Sequence, residues 1–263
     1  MKIRVGIEGG RRPVLARAME LDAPILVSAN SLWNNDRQRF GGWQCYSGFD
    51  TALDSGGFVA MMRYGGYRWS VDQYVSLAAT MRPTWWAQMD FCCEPEIASN
   101  QQEVRKRIDR TVEHLHQCQD ATRGTVGMPM PVLQGWKPTD YCEGPIWDDG
   151  FKWPNLVGVG SVCRRPLRGP TGILAVIGAL DGKLPESVQL HLFGVKSAAL
   201  RALADRFPTR IASVDSMAWN VAARREAHNK NIPCPGSMRA DHMGSWYLKQ
   251  VESLKTNQPT LNL

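Results

Sequence analysis

Ser213-Val214-Asp215-Ser216-Met217-Ala218-Trp219 decides the fold. The apolar run Ile211-Ala212-Ser213-Val214 is closed by an acid, and a helix-compatible stretch follows at once. Four earlier stretches have the same shape: Thr51-Ala52-Leu53-Asp54-Ser55-Gly56-Gly57-Phe58, Trp86-Ala87-Gln88-Met89-Asp90, Pro131-Val132-Leu133-Gln134-Gly135 and His191-Leu192-Phe193-Gly194. Each is a short apolar run ending in a polar residue or a glycine. The pattern fits an α/β fold of the (β/α)8 TIM-barrel type, in which the C-terminal ends of the strands converge on one face that carries the chemistry. Asp215 is then the centre of a candidate site, with Asp54, Asp90 and Gln134 around it.

Outward from these strand ends, residues 2–8 alternate Ile3, Val5 and Ile7 against Lys2, Arg4 and Gly6, which predicts a strand. It is expected outside the barrel, whose first strand is placed at residues 24–30. A short helix is expected over 13–21 and a loop over 33–47. Ser70-Val71-Asp72-Gln73 is a capping box opening a helix to about Met81, and Pro83 stops it. Ser99-Asn100-Gln101-Gln102 reads as a second cap, and Val104, Ile108, Val112 and Leu115 mark one face of the helix that follows. Further strands are expected at 130–133, 156–160, 188–193 and 210–214. Residues 137–155, rich in proline and glycine, are expected to form a loop over the barrel mouth. The eighth strand is placed at Ile232-Pro233-Cys234, which is short and broken by proline. A last helix is expected over 239–254, and a frayed tail over 256–263. The alternation of strand and helix argues for one domain over 1–263, with the barrel at about 24–255 and the N-terminal strand and C-terminal tail outside it.

The 263 residues match one such barrel. The composition is that of an ordinary globular protein, 43% hydrophobic and 21% charged. Seven cysteines, an odd number with no leader-like segment before them, point to free thiols in a reducing cytoplasm. No run approaches the ~18 apolar residues of a membrane span, so no membrane partner is expected. The net charge of +6 suits either a mildly basic surface or a polyanionic partner such as nucleic acid.

The strand ends deliver Asp54, Asp90, Gln134, Gly158, Gly160, Gly194 and Asp215. No serine–histidine–acid order and no zinc-hydrolase histidine cluster is among them. There is no phosphate-binding loop, and Gly158-Val159-Gly160 lacks the third glycine of a dinucleotide fingerprint. Carboxylates and one amide remain. Paired carboxylates flanking a glycosidic bond are the usual arrangement for glycosyl transfer. An acid and an amide also suit a purine edge, the acid accepting from N–H donors and the amide donating to a carbonyl oxygen. Each group has a plainer reading too, as helix cap, turn residue or packing glycine.

Leu53-Asp54-Ser55-Gly56-Gly57-Phe58 resembles a motif of the tRNA-guanine transglycosylases. Met89-Asp90-Phe91-Cys92, Val132-Leu133-Gln134-Gly135, Val159-Gly160-Ser161-Val162, Leu192-Phe193-Gly194-Val195 and Val214-Asp215-Ser216 resemble that superfamily's later motifs in the same order, over residues 24–247. Within it, Gln88-Met89-Asp90-Phe91-Cys92-Cys93-Glu94-Pro95 is most similar to the DpdA proteins, which insert 7-deazaguanine bases such as 7-cyano-7-deazaguanine into DNA in phages and bacterial modification islands. The resemblance implies that Asp215 is the nucleophile and Asp54 the neighbouring acid/base. It implies that Asp90 and Gln134 read the base edge with help from Gly160 and Ser161, and that Phe58 and Phe193, next to Gly194, sandwich the base. The implied partners are DNA and the free 7-deazaguanine base, with room for a protein partner or a homodimer.

The chain departs from that superfamily at its zinc site. Only Cys234 and His242 lie in the corresponding region, and two ligands do not close a four-ligand site. No cofactor is therefore expected to be required; Cys234 and His242 are the candidate ligands of a structural zinc, and both also read as ordinary residues. Arg164, Arg165, Lys196, Arg224, Arg225 and Lys230 follow catalytic strands and are expected to hold phosphates beside a flipped nucleotide. No appended RNA-binding domain is expected after residue 255, which favours DNA. The sequence leaves three functions in play: base exchange in DNA, the same chemistry on tRNA, and a catalytically idle barrel that only binds nucleic acid.

Overall fold

The computed structural model describes residues 1–9, 12–41, 43, 48–148 and 150–255. Among the described residues ten strands and eight α-helices follow one another: β1 Lys2–Ile7, α1 Arg12–Glu20, β2 Ile25–Ser28, the short pair β3 Trp33–Asn34 and β4 Arg39–Phe40, β5 Thr51–Asp54, α2 Gly57–Tyr64, α3 Val71–Met81, β6 Trp85–Trp86, α4 Gln101–Thr122, β7 Val132–Leu133, β8 Leu156–Val159, α5 Ile173–Asp181, β9 Gln189–Leu192, α6 Leu200–Arg206, β10 Ile211–Ser216, α7 Ala218–Asn229 and α8 Gly236–Lys255. Eight strands form one parallel sheet in the order β6-β5-β2-β1-β10-β9-β8-β7. The sheet curls until its ends meet. Ala87 bridges Met130 in parallel, and two backbone bonds, Met130 N to Trp86 O at 2.8 Å and Gln88 N to Met130 O at 3.1 Å, join the β6 edge to the β7 edge. The fold is a (β/α)8 barrel.

The N-terminal strand is not outside this barrel. β1 pairs in parallel with β10 on one side and β2 on the other. The alternation read from the sequence holds, but its polar side faces the barrel interior. Arg4 is buried there, its guanidinium 2.8 Å from Asp50, hydrogen-bonded to Ile25 O and 5.1 Å from the Trp85 ring centre. Ile3, Val5 and Ile7 face the helices instead. With β1 counted, eight barrel strands exist without residues 232–234, which form no strand because Pro233 has no N–H to give a ladder.

Residues 137–155 also differ from expectation. Two 3-10 turns, Pro138–Cys142 and Pro145–Trp147, occupy the place of a helix beside α5. Tyr141 and Ile146 are buried in the core that α5 lines. Lys183, after the far end of α5, reaches Cys142 O and covers the Trp147 ring. The segment therefore runs down the barrel wall rather than over the mouth. The loop expected over 33–47 contains the β3–β4 pair, which packs Trp33 and Phe40 against Trp69. The tail over 256–263 lies outside the described residues. Among the described residues no helix is long and apolar enough to cross a membrane.

Candidate active site

The strand order brings the acids to one end of the barrel. Asp54 closes β5, Asp215 lies one residue before the end of β10, and Asp90 and Gln134 follow β6 and β7. β5 and β10 are separated in the sheet only by β2 and β1. Asp54 and Asp215 therefore lie close enough for the charge of Asp215 to act on Asp54.

Asp54 is held by the backbone of Gly56 and the side chain of Ser28, its register partner on β2. Burial, reinforced by the charges of Asp90 and then Asp215, raises its carboxyl from 3.8 to about 7, against the pull of those two hydrogen bonds. A carboxyl in this range can give or take a proton at neutral pH.

Asp90 anchors a chain of buried polar groups. Ser55 Oγ donates to Asp90 Oδ1 at 2.6 Å. Gln134 Nε2 donates to Oδ2. The Tyr67 hydroxyl donates to Asp90 O at 2.7 Å and accepts from Asp90 N at 2.8 Å. Beyond Gln134, Ser161 Oγ donates to Gln134 Oε1 at 2.6 Å and accepts from Cys93 N at 2.7 Å. Burial pushes the Asp90 carboxyl up, while Ser55, Gln134 and Tyr67 oppose that push. Acid and amide are fixed in place by their own hydrogen bonds.

The glycines of the strand-end motifs now have reasons. A Cβ on Gly57 would lie 2.6 Å from Asp90 Oδ1 and 2.9 Å from the Tyr67 hydroxyl. A Cβ on Gly160 would strike the Gln134 amide. Both positions let backbone approach these side chains more closely than any other residue would permit.

Asp215 is buried, and its Oδ1 accepts from Gly194 N at 2.8 Å. Gly194 takes a left-handed conformation, φ 67°, which turns its N–H toward the acid. Phe58 stands exposed on the first turn of α2, and Phe193 is half-buried against Gly158.

The basic residues divide. Arg164 and Arg224 are exposed and ion-paired to Glu96 and Glu8, and Arg225 is exposed. Exposed Lys196 reaches back to the carbonyls of Arg164 and Arg165. Arg165 corrects the expectation of a phosphate contact. It is 2% exposed, donates to Ser161 O, Thr171 O, Gly135 O and the Tyr141 hydroxyl, and covers the Trp136 ring. Its guanidinium is a structural clamp behind Ser161. Lys230 is a second correction. It follows the far end of α7, about 18 Å along the helix from the β10 strand end at 1.5 Å per residue, and it pairs with Glu226. His242 also bonds Glu226, at 2.7 Å, while Arg239 reaches Cys234 O. Among the described residues no group of three or more His, Cys, Asp or Glu converges to hold a metal.

Three further side chains adjoin these residues. Tyr67 lies between motifs and clamps Asp90. It belongs to a chain of rings, Trp33, Phe40, Trp69, Tyr67 and Phe91, with centres 5.1–5.8 Å apart. His191, inside the apolar stretch that leads to Gly194, points into the barrel beside Asp215. Gln88 was visible next to Asp90, and an amide inside an apolar strand was the signal. It is buried, accepts from Val132 N at 3.1 Å and donates to Thr111 O at 2.5 Å.

Among solved structures, the YdjI aldolase from Escherichia coli K12 is 11% identical, with 98% of this chain and 92% of that chain covered and a TM-score of 0.47. A putative fructose-1,6-biphosphate aldolase from Coccidioides immitis is 12% identical, with 96% and 89% covered and a TM-score of 0.50. At that identity the second likeness concerns the fold alone. No curated protein matches the sequence. A family model described as DpdA, DeoxyPurine in DNA protein A, matches residues 17–259, nearly the whole barrel. The chain belongs to the DpdA family.

Proposed function

We propose that the protein exchanges guanine in DNA for a free 7-deazaguanine base through a covalent aspartyl–deoxyribose intermediate. The observation that carries this reading is the pairing of Asp215 with an acid raised to about 7, Asp54, beside a preformed Asp90–Gln134–Ser161 chain. The target nucleotide leaves the stack, at a cost of a few kcal/mol. A carboxylate oxygen of Asp215 bonds to C1′ as the C1′–N9 bond breaks. The electron pair goes to N9, which takes the proton of neutral Asp54. The incoming base gives its N9 proton to ionised Asp54, and its N9 attacks C1′ and releases Asp215. Two inversions retain the sugar's configuration, and Asp54 ends as it began. One glycosidic bond replaces another, so the exchange draws on no redox cofactor and no triphosphate. Asp90 accepts from the N–H donors of the base, Gln134 and Ser161 face its carbonyl side, and Phe58 and Phe193 supply stacking, worth roughly 1–3 kcal/mol per base.

The test supplies labelled 7-deazaguanine with duplex DNA, single-stranded DNA and unmodified tRNA in one buffer. Label is expected in DNA, and label entering only tRNA would overturn the choice of polymer. Asp215→Asn is expected to abolish exchange with the fold intact, because an amide is a poor nucleophile. Near wild-type turnover of that variant would overturn the mechanism.

A further inference from the structure

β9 and β10 carry two side chains that the exchange leaves unused. His191 and Ser213 are register partners on neighbouring strands, and His191 Nδ1 lies 2.8 Å from Ser213 Oγ. The imidazole is 0% exposed. Its walls are the Trp85 and Phe193 rings, 4.7 and 4.6 Å away centre to centre. Its other nitrogen, Nε2, has no other hydrogen-bond partner among the described residues and lies 3.5 Å from Asp215 Oδ1. That is the outer edge of hydrogen bonding, where contacts in a substrate-free site commonly stand before they tighten.

Burial holds the ring below its ordinary pKa, against the pull of Asp215. The neutral ring carries one proton. On Nδ1, that proton would leave the Nε2 lone pair facing a carboxylate, which repels it. On Nε2, it points a donor at Asp215 and lets the Ser213 hydroxyl donate to Nδ1. Asp215 Oδ1 already accepts from Gly194 N. Oδ2 lies on the Gly6 side, where an added Cβ would sit 3.5 Å from it, 3.3 Å from Ser216 O and 2.6 Å from Met217 Cγ.

We propose that His191 is a positioning residue for the nucleophile: its Nε2–H and the Gly194 N–H together hold Oδ1, Ser213 sets the tautomer, and Oδ2 is left as the oxygen that bonds to C1′. The proposal rests on the exchange reading above, and it adds which oxygen attacks and what aims it.

The test measures single-turnover formation of the enzyme–oligonucleotide adduct, trapped by denaturation, beside the affinities for DNA and for free base. His191→Phe keeps the ring and removes the donor. It is expected to slow adduct formation by about a hundredfold, the scale of a small misplacement of reacting groups, with both affinities and the melting temperature unchanged. His191→Gln, which can aim an amide N–H along the Nε2 direction, is expected to restore much of the rate. A Phe variant as fast as wild type, or one whose base affinity falls as far as its rate, would overturn the proposal. Nitrogen-15 NMR of histidine-labelled wild type gives a reading that does not depend on any variant folding. Nε2 should carry the proton at neutral pH, and protonated Nδ1 with bare Nε2 would also overturn it. Wild type that forms no adduct with DNA would overturn the exchange reading itself, and this proposal with it.

Discussion

At the scale of single residues, the raised carboxyl of Asp54 ties the proposed exchange to stability. The unfolded chain releases its proton near 3.8, whereas the folded protein keeps it to about 7. Stability is therefore undiminished below the lower value, declines between the two, and stays reduced above the upper one. The cost is on the order of a few kcal/mol, discounted for the part of the side chain that meets solvent. Asp54→Asn carries no such charge. Its melting temperature is expected to exceed that of wild type by more at pH 8 than at pH 5, while exchange falls sharply. An equal difference at both pH values would contradict the assignment. The acids themselves were legible in the sequence because each ends an apolar run. Tyr67 and His191 were not, because their roles depend on neighbours 23 and 22 residues away whose side chains meet only in the closed barrel.

At the scale of elements, local signals were read well and long-range pairing less well. Ser70 caps α3 with its full box, as its spacing predicts. The cap of α4 is Asn100 rather than Ser99, one residue later. β1 was legible as a strand but not as a barrel strand, since an inward arginine looks like a solvent-facing one until Asp50 and Trp85 are seen around it. α2 shows where a close approach overrides propensity. Alanine is a better helix former than glycine by about 1 kcal/mol, so Gly57→Ala should help α2 on propensity alone. Its Cβ would instead press on the Asp90 carboxylate. The variant is expected to fold and to bind free base at least about tenfold more weakly, the scale of one lost buried hydrogen bond. Calorimetry returning wild-type affinity would refute this account of the motif.

At the scale of the whole molecule, position around the barrel sorts the basic residues better than sequence proximity to an acid-bearing strand. Replacing Arg164, Arg224 and Arg225 together by alanine is expected to weaken DNA binding evenly across sequences and to flatten its salt dependence. Lys230→Ala is expected to change neither, and a comparable loss from Lys230→Ala in a salt titration would reverse that sorting. The closure of the barrel carries a further consequence. β6 and β7 are two residues each, and a few backbone bonds with the Gln88 side chain form the join between them. Asp90 and Gln134 stand directly above that join, one on each side, and their hydrogen bond spans it. A base held by both residues would act as a staple across the weakest line of the cylinder. Breathing of the barrel and opening of the pocket then become one motion. Amide hydrogen exchange at Gln88, Met130 and Val132 should be fast for a barrel core and slow markedly when base is added, whereas the β1–β10 ladder should exchange slowly with or without it.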